Sequence, residues 1–127
     1  MFSAIFLFNK INLRDIILIH TKSNKTKEVM SLNLEQNIVD EIADICRKYE
    51  HINKVILFGS RARGDNSVKS DIDLAVYCDN SIAEFVEDIE MNTNTLLEFD
   101  FSDMKDMHDE LFIEQVKKDG VVIYEKH

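Results

Sequence analysis

Hydrophobic positions along the chain fall into two alternating rhythms. Leu34, Ile38, Ile42, Ile45 and Tyr49 recur at helical spacing, which predicts a helix with one apolar, core-facing side. Asn33 and Gln36 have the spacing of a capping box and mark its start. The compact apolar run Val55, Ile56, Leu57 and Phe58 then predicts a strand over residues 54–58. Residues 60–63 leave room for a short helix that Gly64 would terminate. A second strand is expected over 71–78, carrying Leu74, Ala75, Val76 and Tyr77. Ser81 and Glu84 repeat the capping-box spacing, and Ile82, Phe85, Val86 and Ile89 share one side of the helix that follows. Residues 95–101 predict a third strand and 121–124 a closing one. Between them, about 106–118 should form a helix that buries Met107, Leu111, Phe112 and Val116 and stops at Gly120.

Helices alternating with strands give a sheet domain of the α/β (α+β) class. The chain has no proline, internal repeat, low-complexity tract or interdomain linker. Its beginning is different. Residues 2–8 are apolar but short, and Lys10, Arg14 and Asp15 interrupt any longer run. The stretch is too brief for a membrane span and lacks the basic start and small-residue cleavage site of a leader. A polar segment, 21–28, separates it from Met30. Two readings stand for this N-terminal extension, residues 1–29. One is a strand-like appendage at 15–20, packed on the domain or on a partner. The other is that translation starts at Met30. Residues 30–127 form the domain itself.

At 127 residues there is room for one domain with a modest core. The formal net charge of −9 is unevenly placed. Residues 1–29 hold five Lys/Arg against two Asp/Glu, whereas 30–127 hold ten against twenty-two, a net of −12. So acidic a domain repels a phosphate backbone, which argues against polymerisation on nucleic acid and favours a basic protein or a cationic small molecule. Cys46 and Cys78 lack metal spacing and each adjoins apolar residues, as expected of buried free thiols in a cytosolic protein. His20, His51, His108 and His127 form no ligand cluster.

The chemistry gathers between the first two predicted strands. Gly59-Ser60 closes the first, and ten residues later Asp71-Ile72-Asp73 opens the second. Side chains two apart on a strand project from one face, so Asp71 and Asp73 stand together. Paired carboxylates repel each other and are costly in a core unless a hard divalent cation compensates. Mg²⁺ is characteristically held by one or two carboxylates plus substrate phosphates. Gly59 lets the backbone approach a ligand, and Ser60 offers a hydroxyl and an N–H to phosphate oxygens. A metal site beside a phosphate cradle points to nucleotide chemistry.

This stretch resembles the signature of the DNA polymerase beta-like nucleotidyltransferase superfamily: Gly-Ser, ten residues, Asp-x-Asp. The form Gly59-Ser60-Arg61-Ala62-Arg63-Gly64 with Ser70-Asp71-Ile72-Asp73-Leu74 is similar to the small prokaryotic minimal nucleotidyltransferases. Many of these are antitoxins encoded beside a HEPN-domain ribonuclease toxin. The similarity covers about residues 30–126. It implies a mixed central sheet of about four strands flanked by helices, with carboxylates of neighbouring strands converging at one end. It also implies a third carboxylate on a later strand. Asp100 is where the family pattern puts it, and Glu98, on the same face, is the alternative.

The resemblance further implies ATP as substrate and two Mg²⁺ ions held by Asp71, Asp73 and Asp100. Gly59 and Ser60 would hold the β and γ phosphates. Arg61 and Arg63 would add positive charge one turn away, unless they pair with Asp65 or a helix acid. Ser70 would order the approach to Asp71. The implied reaction moves AMP to a hydroxyl, a tyrosine of a HEPN toxin, in a cytoplasmic hetero-oligomer with no membrane or nucleic acid involved. Larger members carry an extra helical domain for the acceptor, a surface this chain would take from its partner. Two alternatives remain open. One is a non-catalytic antitoxin that binds a basic toxin through its acidic face. The other is a small-molecule nucleotidyltransferase with a cationic acceptor such as an aminoglycoside, against which the missing second domain speaks.

Overall fold

The structure, a computed structural model, describes residues 34–127. Both readings of residues 1–29, and the expected cap at Asn33, lie outside them. The first helix, α1, spans Gln36–Cys46 and buries Ile38, Val39, Ile42, Ala43, Ile45 and Cys46. Glu35 is the N-cap, without a side-chain cap bond, and Gln36 donates to Asp40 Oδ1 (3.0 Å).

The apolar runs become strands β1, Ile52–Phe58, and β2, Ile72–Cys78. Between them α2, Ser60–Arg63, is a single turn that ends on Gly64 in the left-handed region, φ +88°. Helix α3 spans Ala83–Asn92 and buries Phe85 and Ile89. The capping box expected at its start is absent. Ile82 is the N-cap, and Ser81 Oγ accepts from the Ala83 N–H (3.1 Å) as a local turn.

The third strand departs most from expectation. β3 is Phe99–Asp103, four residues beyond the predicted start. Thr95 Oγ1 accepts the Leu97 N–H (3.1 Å) and turns the backbone there, leaving Leu96 87% exposed. An unforeseen 3-10 turn, Met104–Asp106, follows, its first turn capped by Asp103, which accepts from the Lys105 N–H. Helix α4, Glu110–Asp119, starts later than predicted because Asp109 caps it through the Phe112 N–H (3.2 Å). This phase buries Val116 and half-buries Phe112 and Ile113. Leu111, expected in the core, is exposed. β4, Val121–Glu125, closes the domain.

The four strands form one mixed sheet in the order β3-β2-β1-β4. β1 is antiparallel to β2 and β4, while β2 and β3 run parallel, joined by α3. Alternation gives the sheet two unequal faces. Val55, Leu57, Ile72, Leu74 and Val76 pack with α1 and α3 in the larger core. Ile56, Ala75, Met104 and Val116 form a smaller core on the opposite face, closed by Phe58, Tyr77, Met107, Phe112 and Ile113. The Phe58 and Phe112 rings meet edge to face at 5.3 Å. Asp73, between Ile72 and Leu74, belongs to this thinner second face. Cys46 and Cys78 are buried free thiols, and burial pushes Cys46 up to about 12. Among the described residues no helix is long and apolar enough to cross a membrane.

Candidate active site

β1 delivers the chain to Gly59, and β2 brings it back beside the same point, with Phe58 paired to Asp73. The Gly-Ser turn and the second aspartate of Asp-x-Asp therefore meet at one end of the sheet. Gly59 has φ +75° and ψ −158°, a conformation essentially restricted to glycine. A Cβ there would collide with Asp73 Oδ2 and sit 3.1 Å from Asp73 Cγ. The missing side chain is the space that the carboxylate occupies. Ser60 opens α2, half-buried, and its carbonyl accepts the N–H groups of Gly64 (2.8 Å) and Asp65 (3.1 Å).

The parallel pairing of β2 and β3 places Asp100 directly opposite Asp73. Partners in such a pair project from the same face, so the two carboxylates stand side by side. Asp71, just before β2, shares the parity of Asp73. Glu98 lies just before β3, exposed, and its carbonyl accepts the Ile72 N–H (2.8 Å). Of the two candidates for the third carboxylate, Asp100 is the one paired with Asp73.

Electrostatics follow from this crowding. Asp73 is half-buried, and burial first, then the charges of Asp100 and Asp71, push its carboxyl above the ordinary value. Arg63 and Arg61 offset this in part. Asp71 and Asp100 are more exposed. Among the described residues the carboxylates do not close into a ready-made cage of three metal ligands. The donor set still fits a hard divalent cation. It consists of carboxylate oxygens on one face, those of Asp71 and Asp100 exposed, at a position where an extra negative charge is disfavoured. Mg²⁺ keeps several waters and takes few protein ligands, so a preformed cage is not required.

The arginines take different places. Arg61, expected near phosphate, is buried. Its Nε donates to the Ser70 carbonyl (3.0 Å) and its Nη2 to the Val68 carbonyl (3.2 Å). Arg63 is exposed beside the turn, with Nε 3.1 Å from Asp65 Oδ2 and Nη1 3.9 Å from Asp119 Oδ2. These contacts hold its charge up. Asp119, at the end of α4, is a neighbour that no local sequence signal announces. Ser70 orders the loop before Asp71, its Oγ accepting from the Ser67 N–H (2.9 Å).

A hollow of about 270 Å³ lies elsewhere, lined by residues that include Lys48, Tyr49, Asp88, Met91 and Asn92. There Asp88 accepts from Tyr49 Oη (2.8 Å) and Asn92 Nδ2 (2.7 Å) and pairs with Lys48 Nζ (2.9 Å). The Lys48 contact leads in holding Asp88 low, and the bond to Asp88 pushes Tyr49 up to about 12. These groups satisfy one another and clamp the segment after α1 to α3.

The polymerase beta nucleotidyltransferase family matches residues 40–127, which include every site residue named above. A Methanocaldococcus jannaschii protein, provisionally named a protein adenylyltransferase, is 32% identical over 97 residues, covering 67% of this chain and 97% of its own. Among solved structures, a chain of a toxin–antitoxin pair crystallised with AMP-PNP superposes with a TM-score of 0.54. It shares 20% identity and covers 70% of this chain and 74% of its own. The MntA–HepT toxin–antitoxin gives a TM-score of 0.54 at 20% identity, over 72% and 74% of the two chains. At that identity these two likenesses speak for the fold, and the family match speaks for the chemistry. The chain belongs to the polymerase beta nucleotidyltransferase family and is a nucleotidyltransferase.

Proposed function

We propose that this chain transfers AMP from ATP to a tyrosine hydroxyl of a HEPN-domain toxin and thereby acts as its antitoxin. The observation that carries the reading is the side-by-side placement of Asp73 and Asp100, with Gly59 under the Asp73 carboxylate. The names of the relatives point the same way: a protein adenylyltransferase, and toxin–antitoxin pairs, one of them with an ATP analogue.

Asp71, Asp73 and Asp100 would hold the Mg²⁺ that accompanies the nucleotide. A metal held there would supply positive charge beside the triphosphate and would lower the pKa of the acceptor hydroxyl. The residues of the chain supply positioning. Gly59 and Ser60 receive the β and γ phosphates, Arg63 turns its charge toward them, and Ser70 steadies the backbone before Asp71. The acceptor oxygen attacks the α-phosphorus in line with the leaving group. An O–P bond forms to the acceptor, the bond from α-phosphorus to the bridging oxygen breaks, and pyrophosphate departs. Asp100 accepts the hydroxyl proton. The reaction belongs in the cytoplasm, where ATP and a newly made toxin meet.

A second reading, a binding antitoxin without catalysis, draws on the net charge of −12 over residues 30–127, which suits a basic partner. Intact-mass spectrometry separates the two. The partner encoded next to this chain is co-expressed with the wild type or with an Asp71→Asn/Asp73→Asn double variant. One or more AMP units on the partner, only with the wild type, supports transfer. An unmodified partner in a stable complex with both proteins supports binding alone.

A further inference from the structure

Arg61 is the one buried charged side chain among the described residues, 6% exposed. It leaves the single turn of α2 and runs under the loop 64–70 instead of out toward solvent. There its fork meets two backbone carbonyls, Val68 (3.2 Å) and Ser70 (3.0 Å). The same end of the loop is tied again where Ser70 meets Ser67, by backbone (3.2 Å) and through Oγ (2.9 Å). Within this segment Val68 is 84% exposed, and Ser67 and Lys69 are exposed too. The residue after Ser70 is Asp71. A planar guanidinium suits this task because it presents several donors in fixed directions, which an ammonium cannot.

We propose that Arg61 is a positioning residue that acts through the Val68 and Ser70 carbonyls to aim the Asp71 carboxylate at the cation shared with Asp73. This rests on the nucleotidyltransferase reading of Asp71 and Asp73 and assigns a role to a charge that would otherwise be placed on phosphate. Arg61 therefore matters to the metal-dependent part of nucleotide binding and not to the metal-free part.

The test is calorimetric binding of AMP-PNP to the full chain, in EDTA and across a Mg²⁺ titration. The proteins are wild type, Arg61→Lys, Arg61→Met, Asp71→Asn and the Asp71→Asn/Arg61→Lys double variant. In EDTA the Arg61 variants should bind within about twofold of wild type. The Mg²⁺ concentration giving half the gain in affinity should rise on the order of tenfold, the usual scale for losing support behind a metal ligand. In the Asp71→Asn background, Arg61→Lys should cause no further change, because the two substitutions remove one function. If Arg61→Met fails to fold by circular dichroism, Arg61→Lys carries the same comparison. An equal loss of affinity with and without Mg²⁺ would put Arg61 on the phosphates and overturn the proposal. So would an unchanged Mg²⁺ midpoint, or a full additional effect on top of Asp71→Asn. A wild type that gains nothing from Mg²⁺ overturns the reading of the carboxylates themselves, and Arg61's role with it.

Discussion

The Asp73 carboxylate rests on the bare backbone of Gly59, with Asp73 Cγ 3.1 Å from where a Cβ of that residue would stand. One residue thereby makes room for another, and the glycine's φ of +75° lets the turn approach so closely. Any side chain at 59 must strain the turn and displace the carboxylate. Gly59→Ala is expected to fold with a lower melting temperature, this glycine-only backbone conformation alone costing about 1–3 kcal/mol. It should lose roughly 10²-fold in kcat/KM for AMP transfer, the scale of a misplacement near 1 Å. Label transfer and thermal melts on the same preparation check both. Wild-type turnover in this variant would show that Asp73 does not act from the position Gly59 gives it.

A raised pKa at Asp73 makes the site a liability to the empty protein. Its folded pKa lies above the unfolded one, so its favourable contribution is complete below the unfolded value, about 3.9. That contribution is lost as pH rises through the folded pKa. At neutral pH the ionised carboxylate therefore disfavours the fold. Asp73→Asn should melt higher than wild type at pH 7 in EDTA. The difference should shrink as pH falls toward 4. Saturating Mg²⁺ and ATP should reverse the order, because only the wild type gains from ligand binding. Asp73→Asn melting below wild type at pH 7 in EDTA would contradict the crowded-carboxylate account.

How far the sequence reaches differs from element to element, for physical reasons. β1, the Gly59-Ser60 turn and β2 depend on local signals, an apolar run, a glycine and an alternating acid pair, and they stand where the residues place them. The third strand does not. Thr95, Leu96 and Leu97 look like strand residues, but a side-chain bond from Thr95 competes with the ladder, and pairing begins only at Phe99. The choice between Glu98 and Asp100 turns on register with β2, which composition does not encode. Charge misleads at Arg61, since a sequence shows that a cation is present but not that its fork points inward to carbonyls. Leu111 misleads through phase, because the Asp109 cap fixes which side of α4 meets the sheet.

Arg63 is held by Asp65 and lies near Asp119, so a phosphate would have to compete with those carboxylates for it. The Asp65 contact is exposed and correspondingly weak. Asp65→Asn should therefore lower the KM for ATP by a few-fold at most, with little change in kcat. Arg63→Ala should raise the KM and make Asp65→Asn silent in the same chain. Initial rates over an ATP series for the three variants decide it. An Asp65→Asn effect that persists without Arg63 would mean the acid acts on nucleotide by plain repulsion.

Asp100 and Glu98 offer the sharpest comparison, because they are two residues apart and differ mainly in what they face. Asp100 is in register with Asp73, while Glu98 precedes the strand and contributes its backbone carbonyl to Ile72. Asp100→Asn preserves shape and removes a charge and a proton acceptor. It should cut kcat by about 10²–10⁴-fold, the usual range for a positioned acid–base group. Glu98→Gln keeps the Ile72 bond and should stay within about twofold of wild type, as exposed substitutions remote from a working group generally do. Because Asp100 also presses on Asp73, Asp100→Asn should lower the Asp73 pKa toward the ordinary carboxylate value, which carboxyl carbon NMR across a pH series can follow. If Glu98→Gln is the crippled variant and Asp100→Asn is not, the third carboxylate comes from outside the paired strands.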